Sequence, residues 1–268
     1  MTIPFFQVDA FTSKPFGGNP AAVCLLDNWP ADELLGSIAA ENNLSETAFL
    51  VPSRTREADY ELRWFTPEIE VDLCGHATLA SGHVALRHLR PDAEAVSFST
   101  RSGVLRVHRE ATGSLRMDLP ADPREAGHEP AIAAILGNEP LALLGGSTWI
   151  AVLPSASEVE SLDPDIGQVA ALQVPYLNVT GPGDPDSGVD FVSRFFAPGA
   201  GIDEDPVTGS AHCALTPYWA GRLGRSRLRA RQVSARGGEV DCELVGERVL
   251  LRGTCAEVIE GHLTLSPL

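Results

Sequence analysis

A carboxylate, an imidazole and two glycine-led helix starts are the features of this chain best suited to moving a proton. Glu46 lies in NNLSETAFLV, at the turn from a predicted helix into an apolar strand. Leu44, Thr47, Ala48 and Phe49 surround it in sequence, so its carboxylate is expected to be partly desolvated. That setting suits a general base that must also return its proton. The plain alternative is a solvated turn glutamate. Ser45 is either an ordinary helix-end hydroxyl or a substrate contact. Two segments, Gly75-His76-Ala77-Thr78 and Thr208-Gly209-Ser210-Ala211, open helices with a glycine. The first N–H groups of a helix lack intrahelical partners and sit at the positive end of its dipole, so each start is a candidate anion site. His76 can donate to a substrate carboxylate or act as an acid. Asp205 can orient a substrate amine or hydroxyl.

Other chemistries find little support. The five cysteines, Cys24, Cys74, Cys213, Cys242 and Cys255, are odd in number and form no C-x-x-C pair. Neither a disulfide framework nor a zinc knuckle is expected. Cys74-Gly75-His76 and His212-Cys213 lack carboxylates at ligand spacing, so no metal is expected. GGNPAA is not a dinucleotide fingerprint, which argues against a dehydrogenase, and no cofactor is expected.

The elements that must position these residues come twice. YELRWFTPEIEVDLC (60–74) echoes FVSRFFAPGAGIDED (191–205): at one ungapped offset Arg63 meets Arg194, Phe65 meets Phe196, Pro67 meets Pro198 and Cys74 meets Asp205. Each copy then runs into a glycine and a helical stretch, the second after three extra residues. A fainter match pairs Gly17-Gly18 with Gly145-Gly146. Duplication explains this simply. Strand patterns fall at 2–10, 20–26, 47–52, 60–66, 95–99, 103–109 and 114–119, then at 148–153, 175–180, 190–196, 228–235, 240–245, 247–253 and 256–265. Helical patterns are fewer, at 31–42, 75–90, 129–136 and 209–223. The helices 75–90 and 209–223 are apolar nearly all round and are therefore expected inside; Pro217 should kink the second. The fold class expected is α+β: two pseudo-symmetric domains, each a mainly antiparallel sheet around a central helix. The polar segment ADPREAGHEP marks the join. The domains are then 1–119 and 120–268, with the last strand free to return to the first. Should the domains face each other, both helix starts would point into one cleft.

The bulk numbers agree. A chain of 268 residues is comfortable for two domains, and 44% hydrophobic with 21% charged residues is globular. A net charge of −16 makes nucleic acid and anionic membranes poor partners. No signal peptide or membrane span is read, so the cytoplasm is the expected location.

At VDAFTSKPFGGNPAAV (8–23), NLSETAFL (43–50), RWFTPEIEVDLCGHATLAS (63–81) and DEDPVTGSAHCALTPYW (203–219) the chain resembles the PhzF-like, phenazine-biosynthesis-like family. The resemblance covers essentially the whole chain and implies a diaminopimelate-epimerase-like fold: two similar domains, each a barrel-like sheet around a helix. It implies an isomerase without cofactor, with Glu46 as the proton carrier. Ser45, Gly75, His76, Asp205, Gly209 and Ser210 match positions lining the pocket, His76 and Asp205 joining Glu46 in catalysis. It also implies a homodimer acting on a small carboxylate by a double-bond shift. Related racemases use two facing cysteines; here Cys74 faces Asp205 in the ungapped repeat, which argues against two-thiol chemistry. The alternatives are an amino-acid racemase or epimerase using Cys74 with Asp205 or Glu46, and a non-catalytic small-molecule binder on the same fold.

Overall fold

The structure is a computed structural model describing residues 1–265. The chain forms two compact units, Met1–Leu119 with the segment from Arg252 onward, and Pro120–Leu251. In the first unit come β1 (Thr2–Ala10), β2 (Asn19–Leu25), α1 (Asp32–Asn42), β3 (Glu46–Pro52), β4 (Tyr60–Phe65), β5 (Glu70–Val71), α2 (Gly75–Val84), β6 (Ala95–Thr100), β7 (Gly103–Arg109) and β8 (Leu115–Pro120). The second unit begins with α3 (Pro130–Leu136), β9 (Ala142–Leu144), β10 (Trp149–Val152), α4 (Ala156–Ser161), α5 (Ile166–Ala170), β11 (Leu177–Pro182) and β12 (Phe191–Ala197). It continues with β13 (Ile202–Asp205), α6 (Gly209–Leu223), β14 (Arg227–Gln232), β15 (Gly238–Val245) and β16 (Arg248–Gly253). The last strand, β17 (Cys255–Thr264), pairs antiparallel along the whole of β1 and so belongs to the first unit, not to the second.

The sheets are mainly antiparallel, as expected, with parallel pairings whose order repeats. In the first unit β2 runs parallel to β3, β3 antiparallel to β4, and β4 parallel to β6 while carrying the short β5. In the second, β10 runs parallel to β11, β11 antiparallel to β12, and β12 parallel to β14 while carrying β13. The repeated arginine holds each hairpin. Arg63 grips Glu70 with two hydrogen bonds of 2.7 and 2.6 Å, and Arg194 grips Glu204 at 2.8 and 2.9 Å. Each guanidinium also lies over its phenylalanine, Phe65 or Phe196.

This pairing corrects the ungapped repeat. Phe65 faces Glu70 as Phe196 faces Glu204, and Trp64 faces Val71 as Phe195 faces Asp205. The three extra residues therefore lie in the second hairpin turn. Asp205 corresponds to Val71, and the residue corresponding to Cys74 is Thr208; each of these two precedes its helix as the N-cap.

The two long apolar helices are buried as expected. In α2 every residue but His83 is buried, and the helix packs on β1, β2, β3 and β7. Its π-helical extension, Ala85–Leu89, was not visible in the sequence. Helix α6 runs unbroken through Pro217. Proline leaves the carbonyl four residues back without its donor; the Asp122 amide supplies one, bonding the Cys213 carbonyl at 3.0 Å. None of the helices among the described residues is long and apolar enough to cross a membrane.

Gly82 shows how closely α2 sits on its sheet. A Cβ there would stand 2.5 Å from Val107 Cγ1 and within 2.8 Å of two more Val107 carbons, and a β-branched side chain has few ways to move aside. Gly82→Val should destabilise the protein by about 2 kcal/mol or more through overpacking. In urea unfolding the midpoint should fall, and pairing the change with Val107→Ala should recover part of the loss.

Candidate active site

Strand alternation brings the first group together. Both faces of β3 are covered: Phe49 and Val51 join Leu35, Ile38 and Ala39 of α1 in one cluster, and α2 also packs on the strand. Side chains two apart share a face, so Glu46 falls with Ala48 and Leu50 on the side away from α1. His76, on the first turn of α2, meets it there. His76 Nε2 lies 3.1 Å from Glu46 Oε2; the histidine side chain is 4% exposed and the glutamate 18%. The contact is close enough for an ion pair but poorly aligned, and neither atom has a hydrogen-bond partner among the described residues.

The other ring nitrogen is shared. Asn19 Nδ2 lies 3.1 Å from His76 Nδ1, and Cys74 Sγ lies 3.5 Å from it. Ser45 Oγ donates to Asn19 Oδ1 at 3.3 Å. Hence Ser45, Asn19, His76 and Glu46 form one chain of polar contacts within the first unit. With Asn19 Nδ2 donating to Nδ1, the neutral ring carries its proton on Nε2, toward Glu46. An imidazolium would be served by the turned-over amide, with Asn19 Oδ1 accepting and the Ser45 hydroxyl accepting in turn. Burial opposes charge on His76, but its neighbours, the Glu46 carboxylate among them, hold the ring well above the usual imidazole range.

Cys74 is a different matter from what a helix start suggests. Burial, reinforced by the neighbouring Glu46, pushes its thiol up to about 11, against the helix end and His76. At neutral pH it is therefore a thiol rather than a thiolate, and Glu46 is the negative charge beside the ring. Glu46, Cys74 and His76 also place one donor each within 4.8 Å of one another, which a metal ion could use. The protonated thiol works against that use, since the thiolate is the ligand.

Asn19 escaped the sequence reading, although it lies in the GGNP of the first matched block. It is fully buried and opens β2 opposite Ala10. Gly18 just before it has φ +59, and a Cβ there would stand 2.1 Å from the Ala10 carbonyl oxygen, so only glycine delivers the chain to Asn19 in this way.

In the second unit the helix start is locked differently. Asp205, at the end of β13, is 8% exposed, and Thr208 Oγ1 donates to its Oδ2 at 2.5 Å. Gln232, fully buried at the end of β14, donates from Nε2 to the Asp205 carbonyl at 2.7 Å and accepts from the Thr208 amide at 2.9 Å. Gly209 is buried and Ser210 exposed at the opening of α6. Thr208 and Gln232 were not singled out in the sequence; Gln232 lies 24 residues beyond Thr208 and ends a strand with no motif around it. A separate cavity of about 730 Å³ in the first unit, lined by Ile3, Leu25, Leu26, Asp27 and Tyr60 among others, includes none of the candidate residues.

With that geometry in view, comparison with known proteins places the chain. The family profile of phenazine biosynthesis-like proteins, PhzC-PhzF, matches residues 8–261. An uncharacterised isomerase of Pseudomonas aeruginosa is 50% identical, the match covering 99% of this chain and 100% of that protein. The crystal structure of a PhzF-family protein from Enterococcus faecalis superposes with a TM-score of 0.92 at 41% identity, over 99% of this chain and 100% of that one. A predicted epimerase of Pseudomonas aeruginosa, 22% identical over 98% of this chain and 100% of its own, shares the fold with a TM-score of 0.75. Fold and relatives together define an isomerase of the diaminopimelate-epimerase-like class. Within that class the chain belongs to the phenazine biosynthesis-like family.

His212 offers a pH test of the second unit. It is a fully buried residue of α6, its ring 6.0 Å from that of Phe191 and its Nδ1 2.8 Å from the Thr208 carbonyl, and burial pushes its pKa down to about 4. A depressed folded-state value means that the stabilisation is complete above the unfolded value near 6.5 and is lost as pH falls toward 4. Stability should drop across that window by up to about 3 kcal/mol. Denaturant titrations at stepped pH check this, and a flat profile between pH 6.5 and 4 would contradict it.

Proposed function

We propose that this isomerase moves a proton along a small unsaturated carboxylate without a cofactor, with Glu46 as the single acid–base. The observation that carries the reading is the buried contact between Glu46 and His76, backed by Asn19 and Ser45. The Glu46 carboxylate takes a proton from the carbon beside the substrate carboxylate. The electron pair left behind spreads through the adjacent double bond and carboxylate. Protonated Glu46 then delivers the same proton to the far end of the three-carbon unit, so the double bond shifts and the base is regenerated. One carboxylate working on one face suffices.

Developing negative charge needs donors already in place. His76 supplies one, and the free amides opening α2 at Gly75 supply more. Asp205, Gly209 and Ser210 of the second unit form a second polar set suited to the same class of ligand, Asp205 orienting a hydroxyl or amine. A cytoplasmic homodimer is part of the same proposal.

The racemase alternative fares less well. Its thiol would have to be Cys74, which burial holds protonated to about 11, and the position equivalent to it in the second helix start is Thr208. Cys74→Ser should therefore keep most isomerase activity. Glu46→Gln keeps size and hydrogen-bonding reach but cannot accept a proton. Its turnover should fall about 10²–10⁴-fold, roughly 3–5 kcal/mol of barrier, while substrate affinity changes little. Steady-state kinetics on a panel of unsaturated carboxylates measure both. Wild-type turnover in Glu46→Gln, or near-complete loss in Cys74→Ser, would sink this mechanism.

A further inference from the structure

The first unit carries a second cluster of chemistry-bearing side chains, away from Glu46, at the far end of α2. His83 Nε2 and His88 Nε2 converge on one oxygen, Glu257 Oε2, at 3.7 and 2.8 Å. Ligand atoms of His88, Glu257 and Glu260 all lie within 4.8 Å of one another. His83 Nε2 is buried and has no hydrogen-bond partner among the described residues.

Neither pair would face one point in regular secondary structure. Positions five apart in an α-helix stand about 140° apart around the axis. The π-helical turn Ala85–Leu89 inserts one residue, and its five-residue closure brings His88 back under His83. Arg109 supports that turn, Nη2 donating to the Leu86 carbonyl at 2.8 Å. Positions three apart in a strand point to opposite faces. In β17 the register slips by one residue: Phe6 faces Glu260, Gln7 faces Ile259, and Val8 faces Glu257, leaving Val258 as the extra residue. That bulge turns Glu257 and Glu260 to the same face, the face of Phe6, whose ring lies 4.6 Å from that of His88. Two independent irregularities, one in a helix and one in a strand, thus gather His88, Glu257 and Glu260 at one spot and set His83 beside it, 3.7 Å from Glu257.

We propose that His83, His88, Glu257 and Glu260 form a binding site for a divalent first-row metal ion, zinc foremost. Imidazole and carboxylate suit such ions. Bonds of about 2.1 Å in a tetrahedron set ligand atoms about 3.4 Å apart, between the two histidine–carboxylate distances seen here. Of the neighbouring cations, Arg87, with Nε 3.8 Å from Glu257, has a side chain 63% exposed and free to swing outward, and Arg109 is held by the Leu86 and Pro91 carbonyls. The ion would tie the end of the central helix to a strand 169 residues later in sequence, and so stabilise the folded unit.

The test uses the full chain, stripped with chelator, and zinc alone as ligand. Calorimetry should show one ion per chain at micromolar Kd, and zinc at a hundredfold excess over Kd should raise Tm by about 5 °C or more. Glu260 is exposed, so Glu260→Gln should leave the fold intact and weaken binding at least tenfold; His83→Gln should do the same or worse. Cobalt should bind there with the visible bands of nitrogen and oxygen ligation and no sulfur-to-cobalt charge transfer. Absence of a zinc-dependent rise in Tm, unchanged affinity in Glu260→Gln, or a sulfur charge-transfer band abolished by Cys74→Ser would each overturn the proposal.

Discussion

The arrangement of the first unit turns on one contact, a carboxylate and an imidazole 3.1 Å apart and largely removed from water. Placing either charge there alone would be costly, and removing one partner of a buried pair typically destabilises by about 3–5 kcal/mol. The surroundings are built to hold both at once. Strand alternation fixes the face on which Glu46 stands, and the burial of α2 fixes His76. Gly18 admits the tight approach that puts Asn19 behind the ring. The Asn19–Ser45 pair can serve the ring in either charge state, because an amide and a hydroxyl each both donate and accept. The proton transfer proposed for Glu46 needs such tolerance, since its neighbourhood must accept the charge moving away and coming back.

The second unit reuses the same frame for a different end. Its hairpin is clamped by the same arginine-to-glutamate fork, and its long helix starts at the equivalent place. Where the first unit has Cys74, it has Thr208, and the hydroxyl is spent on Asp205. Gln232 then ties strand end and helix start together through backbone groups. The result is a lock of hydrogen bonds around Asp205 rather than a carboxylate–imidazole pair. Helix α6 tolerates Pro217 because a neighbouring chain segment, at Asp122, supplies the missing donor.

Much of this was legible because periodicity is a strong signal over long stretches. Every strand of six or more residues and each of the four longer helices was visible as an alternating or apolar run. The strands at 70–71, 142–144 and 202–205 and the helices at 156–161 and 166–170 are too short to show a period. The repeat was legible as a repeat, but its register was not. A turn three residues longer is invisible without the strand pairing, and so Asp205 was set against Cys74. Candidates tied to a local motif, such as Glu46 and His76, could be singled out, and the structure brings these two within 3.1 Å of each other. Asn19 and Gln232 owe their positions to pairing with distant segments, and the π turn ALRHL looks like any helical sequence.

The central claim is that Glu46 and His76 act as one electrostatic unit. Nitrogen-resolved NMR titration of His76, in the wild type and in Glu46→Gln, measures it directly. With the carboxylate present the ring should remain protonated well above the ordinary imidazole range, and without it the pKa should fall sharply, because burial then acts unopposed by that charge. The same His76 titration in both proteins would contradict the account.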